Sequence, residues 1–376
     1  MEPFALHLTT VRERLGKSQK EVAKRLGVSP SLVSKWEKGE RKPDTVQFWE
    51  LSRVFGVSPF YLQNAKRVVS FQPRSQAARG ADDKTCFGEA LNDAAQQIHH
   101  LYEVWDRAGK VPARFPLVLE YSEEGLASQA RMVRDCLRLN GKVTYGELRE
   151  ALAEQNVQVF EWKLPPKISG LSHQADFSVI FINKDMPERV KLFTLCHEMA
   201  HLLFHLRGGE DSAVSVMATR SDPHEKEANR FAAELLMPAG RIQALVSADR
   251  ESLKTKTGFL AAVEAFGVSY EAMFYRLSQS PWQLLSYPEK DRFFKKASRT
   301  EIEPPGARVT EVREQLPPLL LRLAAQLWLD GKATMGKVAE WCSAARSKMD
   351  LHLVSLTEDG DTLQDAVVLG LAEENG

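Results

Sequence analysis

Residues 190–205 read VKLFTLCHEMAHLLFH, and the rest of the chain is best read outward from them. The stretch is apolar around most of a helical circumference, which predicts a helix buried on nearly all sides. Polar groups inside such a helix need partners, because an unpaired imidazole or carboxylate away from water is costly. His197 and His201 are four apart, so their rings point the same way one turn apart and suit two adjacent corners of a tetrahedral zinc site. Glu198 follows His197 directly and can address a water at an open corner. Asp185, with Pro187 and Glu188 after it, predicts where the helix starts. Upstream, FSVIFI at 177–182 predicts a strand ended by Asn183, and VQVF at 157–160 predicts another.

A third ligand is expected on a second helix, within DPHEKEANRFAAELLMP at 222–238. Asp222 supplies an N-cap, Pro223 sits in the first turn, and Met237-Pro238 ends the helix. Ala228, Phe231, Ala232, Leu235 and Leu236 form one buried face, and Glu225 lies at its edge, within reach of a buried metal. Asn229, one turn on, is placed to hydrogen-bond a ligand histidine and fix its tautomer. Glu227 is two residues from Glu225, a step of about 200° on a helix, and reads as a solvated surface acid. His205 reads first as a helix-terminal histidine favoured by the macrodipole, with a role beside the metal ligands as the lesser alternative. Cys196 reads as a small buried hydrophobe. Tyr270, Tyr275 and His224 are the candidates for stabilising an oxyanion, and none stands out.

The amino-terminal 66 residues follow a different pattern. Val11, Leu15, Val22, Ala23, Leu26, Val33 and Trp36 fall at helical spacings in three short segments. Ser18 with Glu21 predicts a capping box, Gly27 a left-handed helix end, and Ser29 the next N-cap. So short a turn, Leu26 to Ser29, crosses two helices as a major-groove binder requires. Trp36 is expected in the core. Phe48, Leu51, Val54 and Phe55 close that core from a further helix after Pro43-Asp44.

Charge separates the same two regions. The whole chain carries 50 Lys+Arg and 50 Asp+Glu. Residues 1–66 hold twelve basic against seven acidic side chains, a net of +5, which leaves −5 for the remainder. A basic head on an acidic body points to the head as the part that meets a polyanion, unless the excess is only a solvated helical face. With 376 residues and 43% hydrophobic content, two or three globular domains are expected. Disordered polyelectrolytes and disulfide-rich miniproteins are excluded. Four scattered cysteines without a CxxC fit a reduced compartment, and no apolar run approaches the ~20 residues of a membrane span. No secretory signal is read at the amino terminus. A cytoplasmic protein is expected.

Between and beyond these regions the signals are weaker. Residues 67–85 read as a connector, and a helical pattern resumes at FGEALNDAAQQIHHLYEVW, where the adjacent His99 and His100 read as surface residues. Glu303-Pro304-Pro305-Gly306 reads as a break. After it, Leu320, Leu323, Ala324, Leu327 and Trp328 form the apolar face of a helical pair around Gly331, followed by an acidic tail.

The run SQKEVAKRLGVSPSLVSKWEKGERKP at 18–43 resembles the XRE (Cro/C1-type) helix-turn-helix family. That resemblance implies binding of double-stranded DNA through residues 1–66, with Ser29, Ser31, Ser34 and Lys35 toward the bases and Gln19, Lys38 and Arg41 toward phosphates. A homodimer on a two-fold operator is expected, since one small module makes few contacts. HEMAHLLFH and ExxANRFAAELLMP together resemble the ImmA/IrrE family of zinc metallopeptidases, a gluzincin-like group. This resemblance spans roughly residues 90–280 and includes an expected turn at Ile168-Ser169-Gly170. It implies His197, His201 and Glu225 as ligands to Zn2+, or another divalent ion such as Mn2+, and Glu198 as general base. Asn229 stands where gluzincins commonly have Asp.

The expected fold is therefore mainly α with a small β-sheet (α+β). It comprises a helix-turn-helix domain at 1–66, a linker at 67–89, a zincin-like peptidase domain at 90–282 and an accessory helical region at 283–376. The expected function is a DNA-binding regulator that cleaves a repressor, another regulator or itself after stress or phage-type signals. A non-proteolytic factor whose body senses a signal or organises a dimer is the alternative; a structural zinc site would have no need of Glu198.

Overall fold

The computed structural model describes residues 3–57, 62, 84–111, 113–206, 211–216, 222–279, 281–286 and 315–343. Most of the expected linker, the 303–306 break and the acidic tail lie outside these residues. The chain divides into two compact units, one from residues up to 112 together with those from 318 onward, the other from 113 to 317.

In the first unit, α1 (Pro3–Arg14), α2 (Gln19–Leu26), α3 (Pro30–Glu37) and α4 (Thr45–Phe55) form the helix-turn-helix bundle. Local chemistry sets each boundary. Ser18 and Glu21 cap α2 reciprocally, and Gly27 ends it at φ +65°, a conformation that costs a glycine little. Ser29 caps α3, whose first residue is Pro30. Asp44 and Gln47 cap α4. Trp36 is fully buried, as its spacing predicts. A buried ion pair lies under the turn: Glu37 accepts from Arg12 Nε, from Arg12 Nη2 at 3.0 Å and from Gln19 Nε2 at 2.8 Å.

The long α5 (Lys84–Ala108) belongs to this unit, whereas the domain expected at 90–282 would have placed residues from 90 onward in the second. It packs on α13 (Pro318–Leu329) and α14 (Met335–Trp341), the helical pair that turns at Gly331. Trp341 Nε1 donates to Glu103 at 3.0 Å, and the same carboxylate pairs with Lys337 at 2.9 Å. His100 therefore faces protein, not solvent. It is 1% exposed, and burial depresses its basicity to about 3. The expectation of a surface residue misses this because 84–108 is covered by helices more than 200 positions later.

In the second unit α6 (Leu126–Cys136) and α7 (Tyr145–Glu154) precede a four-stranded sheet of β1 (Val157–Trp162), β2 (Ile168–Gln174), β3 (Ser178–Asn183) and β4 (Asp211–Val216). The order is β1-β3-β2-β4, with β1 parallel to β3 and the other pairs antiparallel. Ile168-Ser169-Gly170 is thus the start of a central strand and not a turn; an irregularity in its pairing with β4 lies at Ile168/Gly170. Asn183 does end β3, its Nδ2 donating to the carbonyl of Ile168 at 2.9 Å.

On this sheet lies α8 (Glu188–Ala200), continued by one π-helical turn, His201–His205. Pro187, not Asp185, occupies the cap position, so the helix starts with Glu188 in its first turn. Then come α9 (Pro223–Leu236), α10 (Ala239–Ala248), α11 (Lys256–Phe266) and α12 (Tyr270–Ser278). No helix among the described residues is long and apolar enough to cross a membrane.

Candidate metal centre

Two helices meet to form the site. The α8 helix is buried from Leu192 to Ala200 apart from Phe193, because it packs on β2 and β3 below and on α9 and α7 at its flanks. Of its buried polar residues, His197 and His201 at its end face each other and α9, while Glu198 faces β2. Asp222 caps α9, accepting from His224 N at 2.9 Å, and that start point sets Glu225 against α8.

The geometry at the meeting point is that of a tetrahedral ligand face. His197 Nε2 lies 3.2 Å from His201 Nε2. Glu225 completes a triangle, with Oε2 at 3.2 Å from His197 Nε2 and Oε1 at 3.3 Å from His201 Nε2. Ligand atoms about 2.0–2.1 Å from a tetrahedral ion stand roughly 3.3 Å apart. The edge between the two rings matches, and each ring stands at that separation from one of the two Glu225 oxygens, so the donor set fits a divalent ion. The Glu225 carboxyl is held down at about 2: burial opposes ionisation, but hydrogen bonds and charge from His197 and His201 outweigh it. Burial likewise lowers the basicity of His197, and Glu225 more than reverses that, for a net rise.

Both rings are oriented from behind. His197 Nδ1 donates to Asn229 Oδ1 at 3.1 Å, which leaves the Nε2 lone pair toward the triangle. His201 is held through a longer chain. The Glu227 carboxylate accepts from His205 Nε2 at 2.9 Å, so a neutral His205 accepts at Nδ1, 2.9 Å from His201 Nδ1. His201 then donates from Nδ1 and keeps its Nε2 lone pair for a ligand. Glu227 is therefore no free surface acid, as the 200° step suggests, and His205 does more than meet a helix end. Glu227 on α9 meets His205 at the far end of the π-helical turn, while Glu225 meets His201 at its start. An acid spaced for the opposite face, with a third histidine one turn past the pair, was the only trace of this in the sequence.

Glu198 is fully buried, against β2. A Cβ on Gly170 would stand 2.5 Å from Glu198 Oε1 and 2.8 Å from its Cγ, so the absence of a side chain at 170 makes the space this carboxylate occupies. We expect Gly170→Ala to leave the three candidate ligands in place and to displace the Glu198 carboxylate, a shift near 1 Å that at a reacting group lowers turnover by about 10²-fold. Metal content and turnover measured on the same preparation check both halves.

The remaining candidates are less central. Tyr270 and Tyr275 belong to the apolar core and its edge, with Tyr270 packed 4.6 Å from the Phe259 ring. His224 is exposed and stacks on His205 at 4.5 Å. Cys196 is buried, and burial pushes its thiol up, as expected of an unreactive packing residue. In the first unit Ser31, Lys35, Lys38 and Arg41 are exposed and Ser34 is half-buried. Ser29 is occupied in capping α3, with Ser31 Oγ 2.9 Å away, and the Gln19 amide is tied to Glu37.

Comparison with known families adds a decisive observation: the stretch from α7 to α12, residues 152–278, matches one family model. That model is the IrrE N-terminal-like domain, to which this stretch is similar. The family is one of peptidases, so the IrrE-like segment is metallopeptidase-like, and it contains every member of the ligand triangle. Residues 8–62 match a helix-turn-helix family, which supports DNA binding by the amino-terminal bundle. The chain is also similar to the uncharacterised immunity region protein 2 of Bacillus phage phi105, 31% identical over 84 residues. That match covers 22% of this chain and 53% of the phage protein, so the chain spans about half the length of this relative. No solved structure matches the chain.

Proposed function

We propose that the protein is a transcriptional regulator in which an XRE-type module brings a zinc-dependent endopeptidase to DNA, and that the endopeptidase cuts a repressor, another regulator or the chain itself. The observation that carries this reading is the convergence of His197, His201 and Glu225, with the ring nitrogens 3.2 Å apart and the two carboxylate oxygens 3.2 and 3.3 Å from one ring each, and with Glu198 one residue from the first ligand. His197, His201 and Glu225 would hold Zn2+, or another divalent ion such as Mn2+. Such an ion supplies acidification of a water and polarisation of a peptide carbonyl. Glu198 takes the proton of the attacking water and passes it to the leaving amine. Asn229 keeps His197 in the ligating tautomer, and Glu227 through His205 does the same for His201.

Expression of Glu225→Ala in place of the native chain tests the reading. Loss of bound metal together with loss of specific new protein N-termini in the cell is expected; an unchanged set of N-termini would overturn the endopeptidase. In the first unit, Ser31, Ser34 and Lys35 are the proposed base contacts with Ser29 capping the helix that presents them, and Lys38 and Arg41 the proposed phosphate contacts. Gln19 would first have to leave Glu37. We place the protein in the cytoplasm and on DNA as a homodimer. Removal of residues 1–66 is expected to abolish DNA binding, and the binding it abolishes should weaken steeply with salt. Metal content should be unchanged, and a shift assay at two salt concentrations with metal analysis measures both.

A further inference from the structure

The two groups of metal-ligating side chains in the described residues do not overlap: His197, His201 and Glu225 form one, and His205, His224 and Glu227 the other. We propose that the second group is a separate divalent-cation site, of the zinc class, that opposes filling of the first. Its three donor atoms lie within 4.8 Å of one another. His205 Nε2 and Glu227 Oε2 are 2.9 Å apart, and the His205 and His224 rings stack at 4.5 Å and 28°. His224 and Glu227 are three apart on α9 and so share a face. Two imidazoles and one carboxylate form a donor set typical of zinc. Bonds of about 2.0–2.2 Å draw ligand atoms to within roughly 3–4 Å of one another. The group must therefore close somewhat, and the exposed His224 is the member free to swing. This makes the second site the weaker one.

The opposition follows from tautomers, and only this part rests on the function proposed above. An ion on His205 Nε2 puts that ring's proton on Nδ1, 2.9 Å from His201 Nδ1. His201 must then accept at Nδ1 and carry its own proton on Nε2, the atom that faces Glu225. A ligand in the first site needs Nε2 bare. The two fillings demand opposite tautomers of one ring, so excess cation acts as a brake.

Calorimetric titration of the metal-stripped full chain with Zn2+ tests the proposal. Two equivalents are expected, the second weaker, with the second lost in both His224→Ala and Glu227→Gln and the tight one retained in His224→Ala. A single equivalent in the native chain, or a second one that survives His224→Ala, overturns the site. Release of the tight ion to a chelator should be faster when the second site is filled, in the native chain but not in His224→Ala; equal rates overturn the opposition. Glu225→Gln separates the two readings. If it leaves the tight equivalent in place, the first centre is misassigned, while dependence on His224 still decides the second.

Discussion

Glu198→Gln is expected to keep its metal and lose peptide cleavage by about three orders of magnitude, within the range for removal of a positioned acid–base group. The amide is nearly isosteric with the carboxylate, so the fully buried pocket against Gly170 stays filled and α8 keeps its packing. None of the three ligand atoms belongs to residue 198, so the triangle is unaffected. What disappears is the capacity to accept a proton from water and return it to the departing nitrogen. Metal analysis, a melting curve and the cellular pattern of protein fragments should together show a folded, loaded and silent chain. Persistent processing of the target would transfer the weight to the non-proteolytic reading, in which the body senses a signal or organises a dimer.

Arg276→Ala should destabilise the second unit by about 3–5 kcal/mol, the cost of stranding one member of a buried ion pair. Its guanidinium pairs with Glu234 and donates to the Met237 carbonyl at 2.8 Å, and both groups are at most one-tenth exposed. Glu234 also accepts from Ala239 N at 2.8 Å, so the same carboxylate joins the end of α9 to the start of α10. The arginine thereby fastens α12 to the helix that carries Glu225. A urea midpoint shift reports the loss. The double variant Arg276→Met with Glu234→Gln should recover much of it, because no charge is then left buried alone.

The chemistry was more legible in the sequence than the architecture around it. Spacing alone brings His197 beside His201, and the Asp222-Pro223 start fixes the phase of α9 so that Glu225 reaches both. Ser18, Ser29 and Asp222 cap the helices they were expected to cap, since a cap is decided within four residues. The turn that the resemblance implies at Ile168-Ser169-Gly170 gives way to a strand because β3 and β4 pair with it on either side, and Glu198 claims the space beside Gly170. His100 misleads for a related reason: what covers it comes from the far end of the chain. The Glu227–His205–His201 chain depends on a π-helical turn, and period counting at 100° per residue does not anticipate one.

That widened turn, closed by the Leu206 N–H on the His201 carbonyl at 2.9 Å, spans one residue more than an α-helical turn. Deleting any one of Leu202, Leu203 or Phe204 would turn it into an ordinary α-helical turn and leave His205 three residues after His201 instead of four. His205 would then part from its neighbours although HExxH itself stayed whole. Tolerance here is a matter of chain length more than of side-chain identity, so a scan by excision should find a barrier that a scan by replacement passes over.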